Sequence, residues 1–554
     1  MSIVSNAQTN NAKYVSLIPE NGTQFNPNQK IVFNLDPSLG WIKGRDSYLV
    51  FDVLNNSSDP LRLSLGKAGG SSLINQINIY SKQTGILLET LNNYNQWVHT
   101  EAQYTTDDQQ NLVDIEGFPK PFESQLAVNS AGGANINNEV GLYNLANSYK
   151  ETENNTFSPI DNNGNLVRTS MRVCVPLRTG IFRWWDAEKL VPILQLGGLR
   201  IELILEQTHN ALSLPKSDTR VGGTIYGISP NSVQNVGLSA DTIANTATTI
   251  TFATSNFSAD MGIKECGMCV GSKITITGTV NGATNTAVNK TITAMAEVIT
   301  GEAKALTLTI DSAVDATHAM TVPFITLQNT DNANYKITNC EMRVLQEMPP
   351  DTKMANMDYV FTTYDVFNDV IAQTALRHNQ DITSVASKAK ALFTLYEDPA
   401  KTGANSFLDV NNYYTGVSAG NTGIKMNEVV YFINNKLYPL RPYNPNHLKD
   451  KVINQNEVVK AFGAINKGVR SLGNTLGASL DIYSNRYLHA RELARGYNNV
   501  FDLQNAEPQI RVGFSGARGT DYKGTQYTNL NMRTFVFSKK IIKIDGDSGL
   551  TVVH

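Results

Sequence analysis

The chain has 554 residues, of which 17% are charged, with a formal net charge of −3 and 4 cysteines. This length exceeds one compact core, so two or three domains are expected. The balanced charge argues against a dedicated nucleic-acid-binding module, and so few cysteines exclude a disulfide scaffold.

The first residues, MSIVSNAQTN, lack the basic start and apolar core of a secretory signal, and no run of 18 apolar residues follows them. We therefore expect a protein made and folded in a reducing cytosol. Residues 1–27 are polar and rich in turn formers, which indicates an N-terminal arm.

From Lys30 the pattern becomes that of β-strands. Residues 47–54 and 73–80 form short runs rich in β-branched and aromatic residues, and turn residues separate such runs. This spacing is typical of a β-sandwich or jelly roll and not of a parallel sheet with crossover helices. We assign residues 28–221 to a first β domain.

A loop-like region over residues 105–170 precedes the stretch PLRTGIFRWWDAEKLVPILQLGGLRIELILE, residues 176–206. Pro192 and two following glycines limit a short helical turn that the pattern predicts over 186–196. The alternating residues 199–206 then predict a strand with one buried face. The adjacent Trp184 and Trp185 either close the base of their own sandwich or contact a neighbouring subunit.

The composition changes over residues 222–332, where Thr, Ala, Asn and Val dominate and neither Arg nor Trp occurs. This length suits a small domain, and we interpret the segment as a separate β insertion. Core-like β sequence returns at 335–345, so residues 333–554 are assigned to a second β domain. Within it, apolar residues spaced by three and four predict a helical excursion over about 456–497.

Few patterns in this chain suggest catalysis or metal binding. Cys266 and Cys269 have a metal- or redox-type spacing, but the pattern offers neither the remaining zinc ligands nor a βαβ context. Asp107 and Asp108 lie in a polar loop, where solvation is the simpler interpretation. The string Gly-Val-Ser-Ala-Gly at 416–420 lies among turn residues, whereas a nucleophile elbow joins a strand to a helix. We expect no enzymatic activity, no cofactor and no metal site.

A mild excess of Lys and Arg occurs over residues 460–495. A solvated or contact face is the first interpretation of this excess. A face turned toward packaged nucleic acid is the second.

Three stretches resemble the major capsid proteins of double jelly-roll DNA viruses, most closely those of polinton-like viruses and virophages. SSLINQINIYSKQTGILLETLNNYNQW (71–97) resembles a strand–turn–strand pattern of that family, and the 176–206 stretch resembles the end of its first jelly roll. YKITNCEMRVLQEMPPD (335–351) resembles the strand that opens its second jelly roll. The C-terminal third is similar in layout only.

The resemblance implies an all-β fold of two tandem eight-stranded jelly rolls, with the small β insertion and short helices added. It implies a structural major capsid protein of the virion, made in the cytoplasm or nucleus of a host cell. Its hexon-like homotrimers would have a pseudo-hexagonal outline and tile an icosahedral shell. The insertion over 222–332 would form a tower on the outer surface, facing the host.

The partners that the resemblance implies are other copies of the chain, neighbouring capsomers, and penton and minor capsid proteins. Indirect contact with packaged DNA or an inner membrane is also implied. The candidates for contacts between subunits are Trp184, Trp185, Phe182 and Trp97.

Two alternative functions stay open at the level of the sequence. A virion surface or fibre protein, or a carbohydrate-binding jelly-roll protein, would account for the Thr- and Asn-rich insertion. A hydrolase built on a β-sandwich would use Ser418 as its nucleophile.

Overall fold

The computed structural model describes residues 12–66, 68–105, 115–118, 120–121, 149–150, 158, 161, 163–213, 242–244, 246–253, 268–281, 283–300, 303–314, 318–328, 332–347, 357–372, 374–384, 386–397, 426–434, 436–444, 448–469, 488–493, 501–504, 506, 508–514, 529–545 and 549–553. Strands dominate these residues, and the expected all-β fold class is confirmed.

Among the described residues, the first part of the chain contains strands joined by turns and the α-helices α1 (Tyr94–Thr105) and α2 (Thr208–Ala211). Its strands are β1 (Lys13–Leu17), β2 (Gln24–Phe25), β3 (Lys30–Leu35), β4 (Trp41–Asn55), β5 (Ser64–Leu65), β6 (Ile74–Ser81), β7 (Leu87–Leu91), β8 (Lys120–Pro121), β9 (Tyr149–Lys150), β10 (Ser170–Pro176), β11 (Leu190–Pro192), β12 (Leu199–Leu205) and β13 (Leu212–Ser213).

A separate sheet follows, with strands β14 (Thr242–Ile243), β15 (Thr249–Ala253), β16 (Lys273–Val280), β17 (Ala283–Thr300), β18 (Ala303–Ile310) and β19 (Met320–Leu327). The remaining elements include one further α-helix, α3 (Leu448–Ala464). The strands are β20 (Tyr335–Glu347), β21 (Met357–Ile371), β22 (Arg377–Asp381), β23 (Ala389–Glu397), β24 (Met426–Ile433), β25 (Lys436–Tyr443), β26 (His489–Glu492), β27 (Gln509–Phe514), β28 (Leu530–Asp545) and β29 (Gly549–Val553).

Eight of these strands form a first sandwich of two antiparallel sheets. One sheet has the order β1-β20-β4-β10 and the other has the order β3-β12-β6-β7. Numbered by their succession within the sandwich, the strands lie in the orders 1-8-3-6 and 2-7-4-5. This is the strand order of an eight-stranded jelly roll.

The second sandwich repeats this order strand for strand. Its sheets have the orders β21-β28-β23-β26 and β22-β27-β24-β25, which are again 1-8-3-6 and 2-7-4-5. Each sandwich also has its α-helix in the connection between its fifth and sixth strands, α1 in the first and α3 in the second. The chain therefore contains two jelly rolls of one connectivity.

Alternation of side chains explains why these segments form half-buried strands. In β12, Leu199, Ile201, Leu203 and Leu205 are buried between the sheets, whereas Arg200 on the opposite face is exposed. The strand pairs with β3 on one side and β6 on the other. A register shift of one residue would move all four apolar side chains to the outer face, so burial fixes the pairing.

The strand β20 lies in the first sandwich, which corrects the sequence analysis. Its sequence was expected to open the second jelly roll, but it pairs with β4 and with β1, and so closes the first. Alternation along a strand reveals its two faces but not its neighbours, so the sequence could not distinguish these assignments.

The insertion consequently lies inside the first jelly roll, between its seventh strand, β12, and its eighth, β20. It was expected to lie between the two jelly rolls. Its strands form one sheet of order β14-β19-β16-β17-β18-β15. The two end strands of this sheet, β14 and β15, are consecutive in sequence. The long strand β17 pairs with β16 through its first half and with β18 through its second.

Part of the expected N-terminal arm is ordered as sheet. Residues 13–17 form β1, which pairs with β20 from Lys13↔Gln346 to Leu17↔Met342, and β2 pairs with the same strand. β1 is an edge strand, and none of its five side chains is fully buried. Composition alone therefore did not reveal it.

Two expected helical segments differ from the sequence analysis. Over 186–196, residues Leu190–Pro192 form β11, which pairs with β4, and only one turn follows before Gly197 and Gly198, both with positive φ. The helix expected over 456–497 begins earlier, at Leu448, and ends at Ala464. Residues 489–492 form a strand, and residues 470–487 lie outside the described part of the chain.

The two ends of each sandwich differ in the length of their connections. Because successive strands run in opposite directions, connections after odd-numbered strands lie at one end and those after even-numbered strands at the other. The longest connections of both sandwiches follow odd-numbered strands, at 92–169 and 206–334 in the first and at 398–425 and 444–488 in the second. Each sandwich thus has a long-connection end and a short-connection end.

Candidate functional site

The four aromatic residues expected to contact another subunit lie instead where the two sandwiches of one chain meet. Trp97, Phe182 and Trp185 are fully buried, and Trp184 is half-buried. Trp97 belongs to α1, and the other three belong to the connection between the sixth and seventh strands of the first sandwich. Burial within the chain leaves the first three no surface for another subunit.

Trp97 and Trp185 pack on the outer face of the 1-8-3-6 sheet of the second sandwich. The ring centroid of Trp97 lies 5.0 Å from that of Phe393 and 4.6 Å from that of Phe537. The ring of Trp185 lies 5.5 Å from Tyr364 and 5.2 Å from Phe537. Aromatic edges and faces at these separations attract each other beyond simple area burial. This sheet is therefore covered on both faces, by its own sandwich and by the first.

One carboxylate at the centre of the junction binds three of the four tryptophans. Glu101 accepts hydrogen bonds from the indole nitrogens of Trp97 at 2.9 Å, Trp184 at 2.5 Å and Trp185 at 2.7 Å. The ammonium group of Lys467, from the segment after α3, lies 3.4 Å from the same carboxylate. A buried indole N–H needs an acceptor, and here one charged acceptor serves all three.

The ionisation of Glu101 follows from these contacts. Burial raises the pKa of its carboxyl group, but the charges of Lys467 and Arg178 and the indole hydrogen bonds lower it, and the net pKa lies below the usual value. Burial lowers the pKa of Lys467, and the charge of Glu101 opposes that change. The junction therefore contains a desolvated ion pair whose remaining polar positions are filled by indoles.

A second buried ion pair holds Trp184 in place. Arg178 donates two hydrogen bonds to Glu116, at 2.8 and 2.9 Å, and the side chains of both residues are nearly inaccessible. The guanidinium of Arg178 lies 5.1 Å from the Trp184 ring centroid, and the ammonium of Lys467 lies 3.9 Å from it. Two cations thus contact one indole, a cation–π arrangement that fixes the ring.

Glu89 links the two sandwiches through a second carboxylate. It accepts hydrogen bonds from the backbone N–H groups of Gly180 and Ile181, at 2.8 and 2.9 Å. It also accepts one from the hydroxyl group of Thr363 in the second sandwich, at 2.5 Å. Burial raises the pKa of Glu89, and these three hydrogen bonds oppose the rise.

The segment around Arg183 adds polar contacts along the first strand of the second sandwich. Arg183 has a positive φ of 65° and donates a hydrogen bond to the carbonyl of Val360 at 2.5 Å. Asp186 accepts hydrogen bonds from both the backbone N–H and the hydroxyl of Thr362, at 2.6 and 2.7 Å. Because β21 begins at the short-connection end, these contacts align the short-connection ends of the two sandwiches.

Glu101, Glu89 and Arg178 were not among the site residues expected from the sequence. A signal was nevertheless present for the first two. Glu89 interrupts the apolar run Leu-Leu-Glu-Thr-Leu, and Glu101 lies four residues after Trp97 on one helix face. A carboxylate in such a position is rarely buried unless paired, so it marks a specific partner elsewhere in the chain.

No cluster of three or more His, Cys, Asp and Glu side chains suited to a metal ion occurs among the described residues, and none of their helices is long and apolar enough to cross a membrane. Cys269 is buried and its backbone N–H donates to the hydroxyl of Ser272 at 3.1 Å. Cys266, the Asp107–Asp108 pair and the Ser418 string lie outside the described residues.

No family model and no curated protein matches the sequence. Among solved structures, the chain is similar to the Faustovirus major capsid protein, with 9% identity, 96% of this chain and 90% of that chain covered, and a TM-score of 0.48. It is similar to the Sputnik virophage structure determined by cryo-EM, with 14% identity, coverage of 100% and 90%, and a TM-score of 0.45.

The chain is also similar to the PBCV-1 virus capsid, with 10% identity, coverage of 98% and 97%, and a TM-score of 0.45. Similarity at these values carries no argument by itself. The double jelly roll is established by the strand order of the two sandwiches.

Proposed function

We propose that this chain is a structural major capsid protein whose homotrimers tile an icosahedral virion shell. The observation that carries the proposal is the repetition of one jelly-roll strand order in two sandwiches, fixed side by side by a buried junction. A chain with two similar blocks in fixed relation gives six similar blocks when three copies form a closed ring. Such a ring has a near-hexagonal outline and can pave a surface.

The remaining features suit a structural role. The polar groups of the junction bind one another, so this large buried site holds the chain together instead of binding a substrate. The insertion emerges from the long-connection end of the first sandwich. We assign that end to the outer surface of the virion, with the insertion as its tower, and the short-connection end to the interior. Penton and minor capsid proteins, and host contact through residues 222–332, belong to the same proposal.

A carbohydrate-binding jelly-roll protein is the competing function, and one cleft favours it. The cleft has a volume of about 500 Å³ and lies at the base of the insertion, lined by Asn28, Asn56, Ser58, Gln207, Thr208, His209, Asn332, Ala333 and Asn334. Its amide and hydroxyl groups could form hydrogen bonds with sugar hydroxyls, but the lining contains no Trp, Tyr or Phe ring on which a sugar could stack. We therefore favour the capsid function.

Replacing residues 222–328 with a Gly/Ser linker separates the two functions. The contacts between the insertion and the first sandwich include the hydrogen bond from Val270 N–H to the Gly164 carbonyl at 2.7 Å. Native mass spectrometry should show trimers for the full chain and for the deletion variant. A full-length chain that stays monomeric at all concentrations, or that loses a glycan ligand with the insertion, would contradict the capsid function.

A further inference from the structure

The cleft at the base of the insertion is built from loops that the first sandwich holds in place. Its lining residues come from the connections after the first, third and seventh strands, so the cleft lies at the long-connection end. Backbone hydrogen bonds fix its walls. Asn56 N–H donates to the carbonyl of Asn334, and Leu205 N–H donates to the carbonyl of Gln29, both at 2.9 Å. Walls that are fixed before a ligand arrives lower the entropy cost of binding.

The lining carries hydrogen-bonding groups that the chain itself leaves unused. Most of its side-chain amides form no hydrogen bond with a described residue, namely those of Asn28, Asn56, Gln207 and Asn334. The Nδ1 atom of His209, which also lines the cleft, is shielded from solvent and has no hydrogen-bond partner among the described residues. A shielded nitrogen without a partner is uncommon in folded proteins, so it indicates a position for a bound group.

The charges around the cleft select a neutral ligand. None of the nine described residues that line it is Lys, Arg, Asp or Glu. Asp59, which accepts a hydrogen bond from the lining residue Asn332 at 2.5 Å, is already paired with Lys273 at 3.7 Å. A phosphate, sulfate or carboxylate group would lack a counter-charge here, and an unpaired charge is costly to desolvate. Because Ala333 is the one apolar residue of the lining, an apolar ligand would lack a contact surface as well.

A neutral sugar matches these groups better than a peptide does. Each carboxamide offers donors and an acceptor, and a sugar hydroxyl is likewise both donor and acceptor. An extended peptide binds chiefly by adding a strand to a sheet edge through backbone groups. In the cleft the backbone N–H of Asn334 already donates to the hydroxyl of Ser57 at 3.0 Å, and the carbonyl of Asn334 accepts from Asn56. Recognition is therefore left to side chains, which favours an oligosaccharide.

We propose that this cleft binds neutral oligosaccharides and so holds the virion on a glycan-coated surface. The inference rests on the proposed capsid function, which places the long-connection end outside, and it adds the class of ligand. Without an aromatic ring for stacking, a single cleft binds weakly. A shell carries one cleft on every copy, and linked sites bind a surface about 100-fold or more tightly than one site does. A weak cleft therefore suits a shell protein better than a protein that binds sugar as a single copy.

Binding of purified trimers to printed sugars tests the inference. The probes are neutral trisaccharides of glucose, galactose, mannose and N-acetylglucosamine, with a sulfated trisaccharide that should not bind. Asn56→Ala/Gln207→Ala should weaken binding about 10-fold or more, because two hydrogen-bonding side chains are lost. Both residues are exposed, so the fold should be unaffected. The matched control is Gln83→Ala/Asn368→Ala, which removes one exposed amide of each kind outside the cleft and should bind as the wild type does.

The deletion variant that lacks residues 222–328 is a second comparison, since it keeps every lining residue and should bind the same sugars. Loss of the sugar in this variant would count against both the cleft and the capsid function. Trimers that bind no neutral trisaccharide, or that bind it equally well after the Asn56→Ala/Gln207→Ala change, would overturn this inference alone. A chain that never trimerises would overturn the capsid function itself.

Discussion

At the scale of single residues, the junction depends on carboxylates that bind groups from distant parts of the chain. Glu101 accepts hydrogen bonds from three indoles and faces Lys467, while Glu89 joins two backbone N–H groups to Thr363. The tryptophans were visible in the sequence as unusual residues. Their shared acceptor was not, because residues 97, 101 and 184–185 meet only after both the helix and the 177–186 segment have folded.

Removing the Glu101 carboxylate should strongly destabilise the junction. In Glu101→Ala, three indole N–H groups and the buried ammonium of Lys467 lose their acceptor, and breaking a buried pair in this way costs about 3 to 5 kcal/mol. Urea unfolding followed by tryptophan fluorescence would measure the loss directly, because three of the four tryptophans bind this carboxylate.

The control for that variant is Glu188→Ala. Glu188 pairs with Lys43 at 2.7 Å, but its side chain is half-exposed. An exposed pair contributes at most about 1 kcal/mol. Equal destabilisation by the two variants would show that the Glu101 cluster has no special role.

The buried His489 should make the second sandwich sensitive to acid. Burial lowers the pKa of its imidazole to about 3, whereas an unfolded chain has the ordinary value near 6.5. Between these values the unfolded state binds more protons, so the free energy of unfolding falls as the pH falls, by about 1 kcal/mol per pH unit. The neutral imidazole forms a hydrogen bond with the hydroxyl of Tyr396 at 3.0 Å.

His489→Gln should remove this contribution. Urea titrations at several pH values between about 4 and 7 would give the pH dependence of the free energy of unfolding for both proteins. This range lies between the two pKa values of the histidine. The variant should show the shallower dependence of stability on pH in this window. Identical slopes would mean that His489 is not kept neutral by the fold.

At the scale of elements, the sequence predicted which segments are strands better than it predicted their partners. The run in β12 was read correctly as a strand with one buried face, because its alternation is a local property. The assignment of β20 to the second jelly roll was wrong, since pairing with β4 is decided by contacts almost 300 positions away in the chain. The edge strand β1 was missed because it buries little.

The close approach of the 177–186 segment to β21 gives a prediction at this scale. A Cβ atom added at Gly180 would lie 2.3 Å from the carbonyl oxygen of Thr362 and 2.7 Å from a Glu89 oxygen. Gly180→Ala should therefore push the segment off the second sandwich and cost about 1 to 3 kcal/mol or more, as overpacking does.

Gly463→Ala is the matched control, at a position where an added methyl group has room. Apart from its chain neighbours and the backbone of its own helix, no described atom lies within 4 Å of a Cβ added at Gly463, and the residue lies in the last turn of α3. Alanine is the better helix former there, so this variant should gain about 0.5 to 1 kcal/mol. Differential scanning calorimetry should find opposite shifts in Tm, and shifts of the same sign would contradict the geometry at Gly180.

At the scale of the whole molecule, the repeated strand order is the central fact. Two jelly rolls of one connectivity, with their short-connection ends aligned, give the chain two similar blocks in a fixed relation. The sequence resemblance predicted this architecture, but the place of the insertion within the first jelly roll depends on which strand closes that roll. Only the pairing of β20 decides that question.

The most direct test of the account is the outline of the assembled particle. Class averages of the purified full chain by electron microscopy should show a threefold ring with six lobes of similar size, one for each jelly roll, and a tower above every second lobe. Averages that showed two-lobed monomers, or rings with any other number of blocks, would contradict the central claim.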